Sequence, residues 1–378
     1  MREWKEVKWG EIAVLEYGKA LKDYQNKNGK YPVFGTNGQI GTTDSFLCSS
    51  SGIIIGRKGA YRGVHYSDMP FFVIDTAFYL NPAINELNIK FAYYHLLNVD
   101  INAMDSGSAI PSTSREEFYD LNILLPELDE QIAISEVLSS LDDKIDLLHR
   151  QNKTLEQLAG TLFRQWFEDE AQIDWKEMKL SDFISVKHGY AFKGAHISNE
   201  PTNLILVTPG NFKIGGGFKF EKFKYYTDNK FPQDYIFRTG DLIVTMTDLS
   251  GDGDTLGYPA LIPENCLNEN YLHNQRVGKV EFNKDLGKFF IYYLMKTKNY
   301  QWFILGGASG TSIRHTSPTT ICSYSFFMPP KQKLIEFEFF ATELEKKRTK
   351  NHTQIRTLTK LRDTLLPKLM SGEVRIQC

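Results

Sequence analysis

The sequence predicts an α+β protein in which one plan is used twice: two similar domains of mixed structure, each followed by a long helix. Three observations predict it. Between Glu130 and Glu168, apolar residues recur at alternating spacings of four and three, at Ile134, Leu138, Leu141, Ile145, Leu148, Leu155, Ala159, Leu162 and Trp166, with Asn152 as the one polar member. Adding 203 to each position gives a second stripe of the same phase: Phe337, Ala341, Leu344, Arg348, Asn351, Ile355, Leu358, Arg362, Leu365 and Leu369. The segments ahead of the two stripes echo each other, Glu3 to Lys8 matching Asp174 to Lys179 and Gly18 matching Gly189 at an offset of 171.

A period of three and four over this length is a heptad seam. No proline occurs between Glu130 and Glu168 and no glycine before Gly160. One helix of roughly 57 Å, at 1.5 Å per residue, is therefore permitted. Such a rod has no core of its own and needs a partner. The second stripe supplies one, because the two segments are oppositely charged: 127–170 carries 4 basic and 11 acidic residues, and 329–378 carries 11 basic and 6 acidic. Complementary charge favours pairing of the two helices with each other over self-association.

The chain thus divides into a first domain (1–126), a central helical segment (127–170), a second domain (171–328) and a final helical segment (329–378). The repeat predicts a shared frame with a variable middle, because the offset is 171 at the start of the copies and 203 at their ends, where Ser106 to Ile110 lies over Ser309 to Ile313 and Thr113-Ser114 over Thr316-Ser317. Gly52 to Gly56, Phe71 to Tyr79 and Asp241 to Thr245 read as strands, being short, β-branched or aromatic, and bounded by turn formers. Phe91 to Leu97 and Phe289 to Met295 read as matching short helices. Leu121 to Leu125 and Tyr324 to Met328 read as final strands stopped by Pro126 and Pro329.

Composition describes globular material: 42% hydrophobic and 13% aromatic residues give ample core. The net charge of -2 supplies no global attraction for nucleic acid, so any basic surface must be local. Cys48, Cys266, Cys322 and Cys378 form no C-x-x-C pair, which suits a reducing cytosol and argues against a zinc ribbon. No run approaches eighteen apolar residues and the first residues are charged, so neither membrane insertion nor export is indicated.

Catalytic signatures are absent from the sequence. There is no G-x-x-x-x-G-K-[ST] loop, no H-E-x-x-H and no G-x-G-x-x-G after a strand. Asp248, Asp252 and Asp254 around Gly251 and Gly253 look superficially like a calcium loop, but no bidentate glutamate follows at the required distance, and a polar surface loop is expected. The dispersed histidines give no metal cluster. Asn81-Pro82-Ala83 is not the N-P-P-aromatic segment of an amino-methyltransferase.

What remains is a set of polar, glycine-rich loops with basic and aromatic residues interleaved. Arginine matches guanine, asparagine and glutamine match adenine, and lysine, serine and threonine reach phosphate. On that chemistry the candidate DNA contacts are Asn37, Gln39, Arg57, Lys58, Tyr61, Arg62, Ser108, Ser112 and Arg115 in the first copy. In the second they are Lys187, Tyr190, Lys193, Thr245, Thr247, Asn274, Gln275, Arg276, Arg314 and His315.

The order domain, helix, domain, helix, with Trp4 to Ile12 opening the first domain, Thr161 to Phe167 closing the first helix and Leu361 to Val374 near the end, resembles the DNA-specificity (S) subunit of type I restriction-modification systems. Val73 to Tyr79 and Gly35 to Gly41 are similar to segments of that family's target-recognition domains. The resemblance implies a non-catalytic cytoplasmic subunit whose two target-recognition domains each read half of a bipartite site on double-stranded DNA. It implies two long helices paired antiparallel as a spacer, in an internal pseudo-twofold repeat. Two adenine-N6 methyltransferase (modification) subunits would dock on it and bind S-adenosylmethionine, this chain binding no cofactor, and restriction subunits would join for ATP-driven translocation and cleavage. Val137, Leu158, Phe340 and Leu361 lie beside the seam and would be left bare in a two-helix pair, so the modification subunits are expected to cover them in a four-helix arrangement. The alternative is a coiled-coil adaptor that presents two ligand-binding domains to protein partners without binding DNA.

Overall fold

The computed structural model describes residues 3–24, 28–104, 110–265, 268–284, 286–310 and 312–376. Two compact units make it up: Met1–Leu147 with Arg356–Cys378 (unit 1), and Leu148–Ile355 (unit 2). The divisions fall inside both long helices, Leu128–Arg164 and Lys331–Met370, rather than at the ends of the helical segments 127–170 and 329–378. Each helix therefore contributes one segment to each unit.

In unit 1 a four-stranded antiparallel sheet runs in the order Ala13–Tyr17, Ala77–Pro82, Gly52–Gly56, Val64–Ser67. The Gly-Ile-Ile-Ile-Gly strand is central and wholly buried. Its side chains alternate between faces. Ile53 and Ile55 join the main core with Trp9, Leu15, Phe78, Leu80, Phe91 and Phe118, whereas Ile54 joins Phe34, Phe71 and Val73 on the other side. A smaller sheet of Gly38–Thr43, Tyr31–Gly35 and Phe72–Val73 covers that second side, and Lys5–Lys8 pairs with Asn122–Leu125.

The stretch from Phe71 to Tyr79 is two strands and not one. Val73 pairs parallel with Phe34 in the small sheet, the chain turns at Asp75 and Thr76, and Ala77 enters the main sheet against Gly56. Apolar residues on both sides of the turn are buried in different layers, which gave the sequence the look of one continuous strand.

Unit 2 repeats the frame. Its main sheet is Ile184–His188, Val277–Phe282, Leu242–Thr245, Pro259–Leu261, and Glu177–Lys179 pairs with Ser325–Phe327. The second sheet is larger: Ile197–Ser198, Lys224–Tyr226, Leu204–Val207 and Asn270–His273, the last two parallel. The offset between matching strand positions grows from 171 at Ala13 and Ile184 to 189 at Gly56 and Thr245 and 200 at Ala77 and Val277. Most of the extra chain thus enters the smaller layer, while the frame keeps its hydrogen bonds. Trp9 N donates to Leu121 O (2.9 Å) as Leu180 N donates to Tyr324 O (3.0 Å); Lys19 N donates to Val73 O (2.9 Å) as Tyr190 N donates to His273 O (2.8 Å). Gly18 and Gly189 precede the second pair, and a Cβ on either would collide with a main-chain carbonyl, of Ile74 in one copy and Asn274 in the other. Close backbone approach explains the repeated glycine.

Within each unit the two helix segments run antiparallel. In unit 1, Ile134 and Leu138 pack with Leu366, Leu369 and Met370, and Arg362 Nη1 lies 2.8 Å from Asp142 Oδ1. In unit 2, Ala159 and Phe163 pack with Phe337 and Ala341, Lys333 pairs with Glu170 (2.9 Å) and Asn351 Nδ2 donates to Asn152 Oδ1 (2.9 Å). Of the seam positions, Ile145, Leu148 and Ile355 are also buried, while Leu141, Leu155, Leu162, Trp166, Leu344, Leu358 and Leu365 are half-buried. Late in each stripe the next residue, Phe163 or Leu366, takes the buried place. A seven-residue repeat on a straight helix drifts by about 20° per heptad. After four heptads the drift is close to one residue's rotation, so the contact passes from Leu162 to Phe163 and from Leu365 to Leu366.

No helix among the described residues is long and apolar enough to cross a membrane.

Candidate nucleic-acid interface

Antiparallel strands place alternate chain ends on one edge of a sheet. In unit 1 that edge carries Tyr17, Gly56, Val64 and Ala77, and the loops that hold most of the candidates leave from it. The Thr36 hydroxyl ties the 35–38 turn to the others, lying 2.7 Å from Lys58 O and 2.6 Å from Thr76 O. Lys58 and Ser112 form an antiparallel bridge, Thr113 N donates to Arg57 O (2.9 Å), and the Thr113 hydroxyl donates to Gly56 O (2.7 Å). Asn37, Gln39, Arg57, Lys58, Ser112 and Arg115 are thereby gathered at one end, with Tyr61 79% exposed in the same loop as Lys58. Ser108 lies outside the described residues.

Arg62 departs from expectation. It is only 4% exposed, and its Nη2 donates to the Asn102 and Met104 carbonyls at 2.9 and 2.8 Å. A guanidinium spent on main-chain oxygens inside the domain is a brace, not a surface contact.

Tyr17 and Asp75 were missed. The Arg57 guanidinium lies 4.7 Å from the Tyr17 ring centre and donates from Nη1 to Asp75 O (2.8 Å); Arg115 lies 5.2 Å from the same ring and donates to the Tyr119 hydroxyl (3.0 Å). The one available signal was the position of Tyr17, immediately before the repeated Gly18.

In unit 2 the matching edge carries His188, Thr245, Pro259 and Val277. Thr247 and Asp248 pair with His315 and Arg314, as Lys58 pairs with Ser112 in unit 1. Tyr190 bridges to Asn274, Gln275 N donates to Tyr190 O (3.0 Å), and Met246 N donates to Arg276 O (3.0 Å). Lys193, Gln275, Arg276 and His315 are exposed, and Lys187 lies 5.0 Å from the ring centre of Tyr235. Arg314 Nε donates to Gly251 O (2.9 Å).

Thr245, Thr247 and Asn274 are buried, contrary to their reading as contacts. The Thr245 hydroxyl donates to Thr247 O (2.9 Å), and Asn274 Oδ1 accepts from Arg276 N (3.0 Å). Both shape the turns that present their neighbours. Asp248 likewise organises its own loop: its carboxylate accepts from the main chain and hydroxyls of Ser250 and Thr255. Burial alone would raise its pKa, but those four donors hold it down at about 2. No group of three or more His, Cys, Asp or Glu residues among the described residues could hold a metal ion.

His273, behind this edge, has its pKa pushed down to about 4, chiefly by burial; the bond from its Nε2 to Val277 O (2.8 Å) opposes that push, Lys187 and Lys279 add to it, and Asp241 opposes it weakly. The folded chain keeps it neutral, while the unfolded chain protonates it near 6.5. Its contribution is therefore complete above about pH 6.5 and is lost as the pH falls toward 4, at no more than about 1.4 kcal/mol per pH unit. Urea unfolding at pH 7.5 and pH 5 should show reduced stability at the lower pH. His273→Gln, which can still donate to Val277, should flatten that dependence.

The family described as "Type I restriction modification DNA specificity domain" matches residues 1–157 and 172–335, one match for each copy of the repeat. The chain belongs to this type I DNA-specificity family. It is 24% identical over 305 residues to the type I restriction enzyme MjaIX specificity subunit of Methanocaldococcus jannaschii, covering 72% of this chain and 65% of that protein, slightly under two thirds of it. It is 21% identical over 384 residues to the HindI specificity subunit of Haemophilus influenzae, covering 82% of each. The fold matches the crystal structure of a type I restriction-modification S subunit from M. genitalium, with a TM-score of 0.65 over 97% of this chain and 96% of that one at 19% identity. The expectation of a DNA-specificity family member with two similar α+β domains and two long antiparallel helices is met, and the curated relatives carry the name of specificity subunits, not of catalytic ones.

Proposed function

We propose that this chain is the subunit that reads a bipartite double-stranded DNA site for a type I complex in the cytoplasm, one unit per half-site, while two adenine-N6 methyltransferase subunits dock on its helices. The observation that carries this reading is the doubled edge: each unit keeps the same frame and gathers candidate contacts at the same end of its sheet, around Tyr17, Gly56 and Ala77 in one and His188, Thr245 and Val277 in the other. Two frames with different loops suit an asymmetric site, because phosphate contacts can be common to both while base contacts differ. The modification subunits would carry S-adenosylmethionine, and restriction subunits would join the same complex.

Docking is supported by apolar residues beside the helix contacts. Val137, Leu158, Phe340 and Leu361 are 39%, 48%, 47% and 44% exposed, and Phe339 beside Phe340 is 65% exposed. Side chains of this kind in a four-helix arrangement would be covered. Leu158→Glu with Phe340→Glu is expected to abolish co-purification of the modification subunits while leaving the melting temperature of this chain within a few degrees, since both positions are exposed. Retained co-purification would remove the docking assignment. DNA binding is tested on the complex of this chain with its modification subunits. Binding that favours one sequence and falls steeply with salt supports the reading, and salt-insensitive or absent binding favours the adaptor.

A further inference from the structure

The pair of guanidiniums against Tyr17 has chemistry that a general DNA face does not require. Arg57 follows the buried central strand Gly52–Gly56, and Tyr17 ends the strand Ala13–Tyr17 on the same edge. The Arg57 guanidinium is fixed by three neighbours: the Tyr17 ring at 4.7 Å, the Phe78 ring at 5.8 Å and the Asp75 carbonyl at 2.8 Å from Nη1. Tyr17 in turn packs on Phe78, with ring centres 5.0 Å apart, so the ring that holds the guanidinium is itself anchored on a buried residue. Among the described residues the bond to Asp75 is the one hydrogen bond the Arg57 side chain makes. The rest of its donor fork is uncommitted.

We propose that Arg57 reads a guanine in the half-site taken by unit 1, and that Tyr17 is the positioning residue that holds it for the task. The inference rests on the DNA-reading function proposed above. A planar fork held in one orientation matches the O6 and N7 acceptors of guanine in the major groove, where two bonds must be met at once. A phosphate contact needs no such plane, and the exposed Lys58 beside it serves that purpose as a point charge. Asp75, whose carbonyl holds Arg57, carries an exposed carboxylate. A carboxylate disfavours a phosphate at this spot and is compatible with a base edge, since it can accept from cytosine N4. Holding the arginine before DNA arrives removes part of the ordering cost of binding.

The arrangement belongs to one half-site only. By the strand register, His188 stands where unit 1 has Tyr17, and the buried Met246 stands where it has Arg57. Unit 2 exposes Arg276 and Gln275 on a turn instead. The two halves of the site are therefore read by different chemistry.

The test uses this chain purified with its modification subunits and duplexes carrying its own methylation site, with each guanine of the first half-site replaced in turn by 7-deazaguanine, which lacks N7. Fluorescence anisotropy at several salt concentrations should find one guanine whose replacement weakens the wild-type complex about tenfold or more. Arg57→Ala and Arg57→Lys should lose a similar factor on the unmodified site, lose nothing further on that deaza duplex, and keep the wild-type salt slope and the discrimination at the second half-site. Tyr17→Ala should follow Arg57→Ala, and Tyr17→Phe, which keeps the ring, should restore most of the loss. Equal weakening on all sequences by Arg57→Ala with a salt slope lower by about one would make Arg57 a phosphate contact and overturn the proposal. Insensitivity of every first-half guanine to the replacement would overturn it too. A wild-type complex with no preference for its own site would instead overturn the DNA-reading function beneath it.

Discussion

Arg348→Ala should destabilise unit 2 by about 3–5 kcal/mol, the range for removing one partner of a buried ion pair. Arg348 is 7% exposed; its Nη1 lies 2.6 Å from Glu345 and its Nη2 3.2 Å from Glu156, which also pairs with Lys296. Burial pushes the Glu345 carboxyl above its ordinary range, and the guanidinium opposes that push. Without it, two carboxylates share a poorly solvated space. The loss should appear in urea unfolding at pH 7. Arg348→Met combined with Glu345→Met should cost far less than Arg348→Ala alone, because no charge is then left without its partner at that point. A single-variant loss below about 1 kcal/mol would mean that the site is solvated, as for a surface pair.

The seam was legible in the sequence because its period is physical, and its polar members were not. Arg348, Asn351 and Arg362 fell on the stripe as interruptions, since adding 203 relates equivalent positions of the repeat and not positions that touch. The antiparallel register decides what touches: Asn351 faces Asn152, Arg348 faces Glu156 and Arg362 faces Asp142. Each interruption is thus one half of a cross-helix pair. Such pairs fix one register against slipped alternatives.

The candidate contacts were legible to a similar depth. Loop composition picked out loops that gather at one edge of each sheet, because glycine, serine and threonine mark turns wherever they cluster. It could not tell a side chain that faces outward from one that braces its own turn. Arg62 and Thr245 have the composition of contacts and the burial of core, while Tyr17, at the end of a strand and outside the glycine-rich loops, is 47% exposed. That distinction depends on which carbonyls the fold leaves unpaired, which no local pattern reveals.

Lengthening both helices by four residues, after Leu148 in one and after Ile355 in the other, should change the site recognised. The two positions face each other in the antiparallel register, so pairing can continue through the insertion. Four residues add roughly 6 Å of length and about 40° of rotation. One base pair adds about 3.4 Å and about 35° of twist, so the spacer between the half-sites should grow by one or two base pairs, with both half-sites unchanged. Methylation of the original site should fall below detection. Continued methylation at the original spacing would show that the helices do not set it.

In the proposed function this chain chooses a bipartite site for an adenine methyltransferase. Methylation mapping tests it most directly, on DNA from cells carrying this chain with its cognate modification subunit and from cells lacking this chain alone. An N6-methyladenine motif in two parts should be present in the first and disappear in the second. Identical methylation in both, with the modification subunit expressed and active, would contradict it and leave the two units as ligand-binding domains of an adaptor.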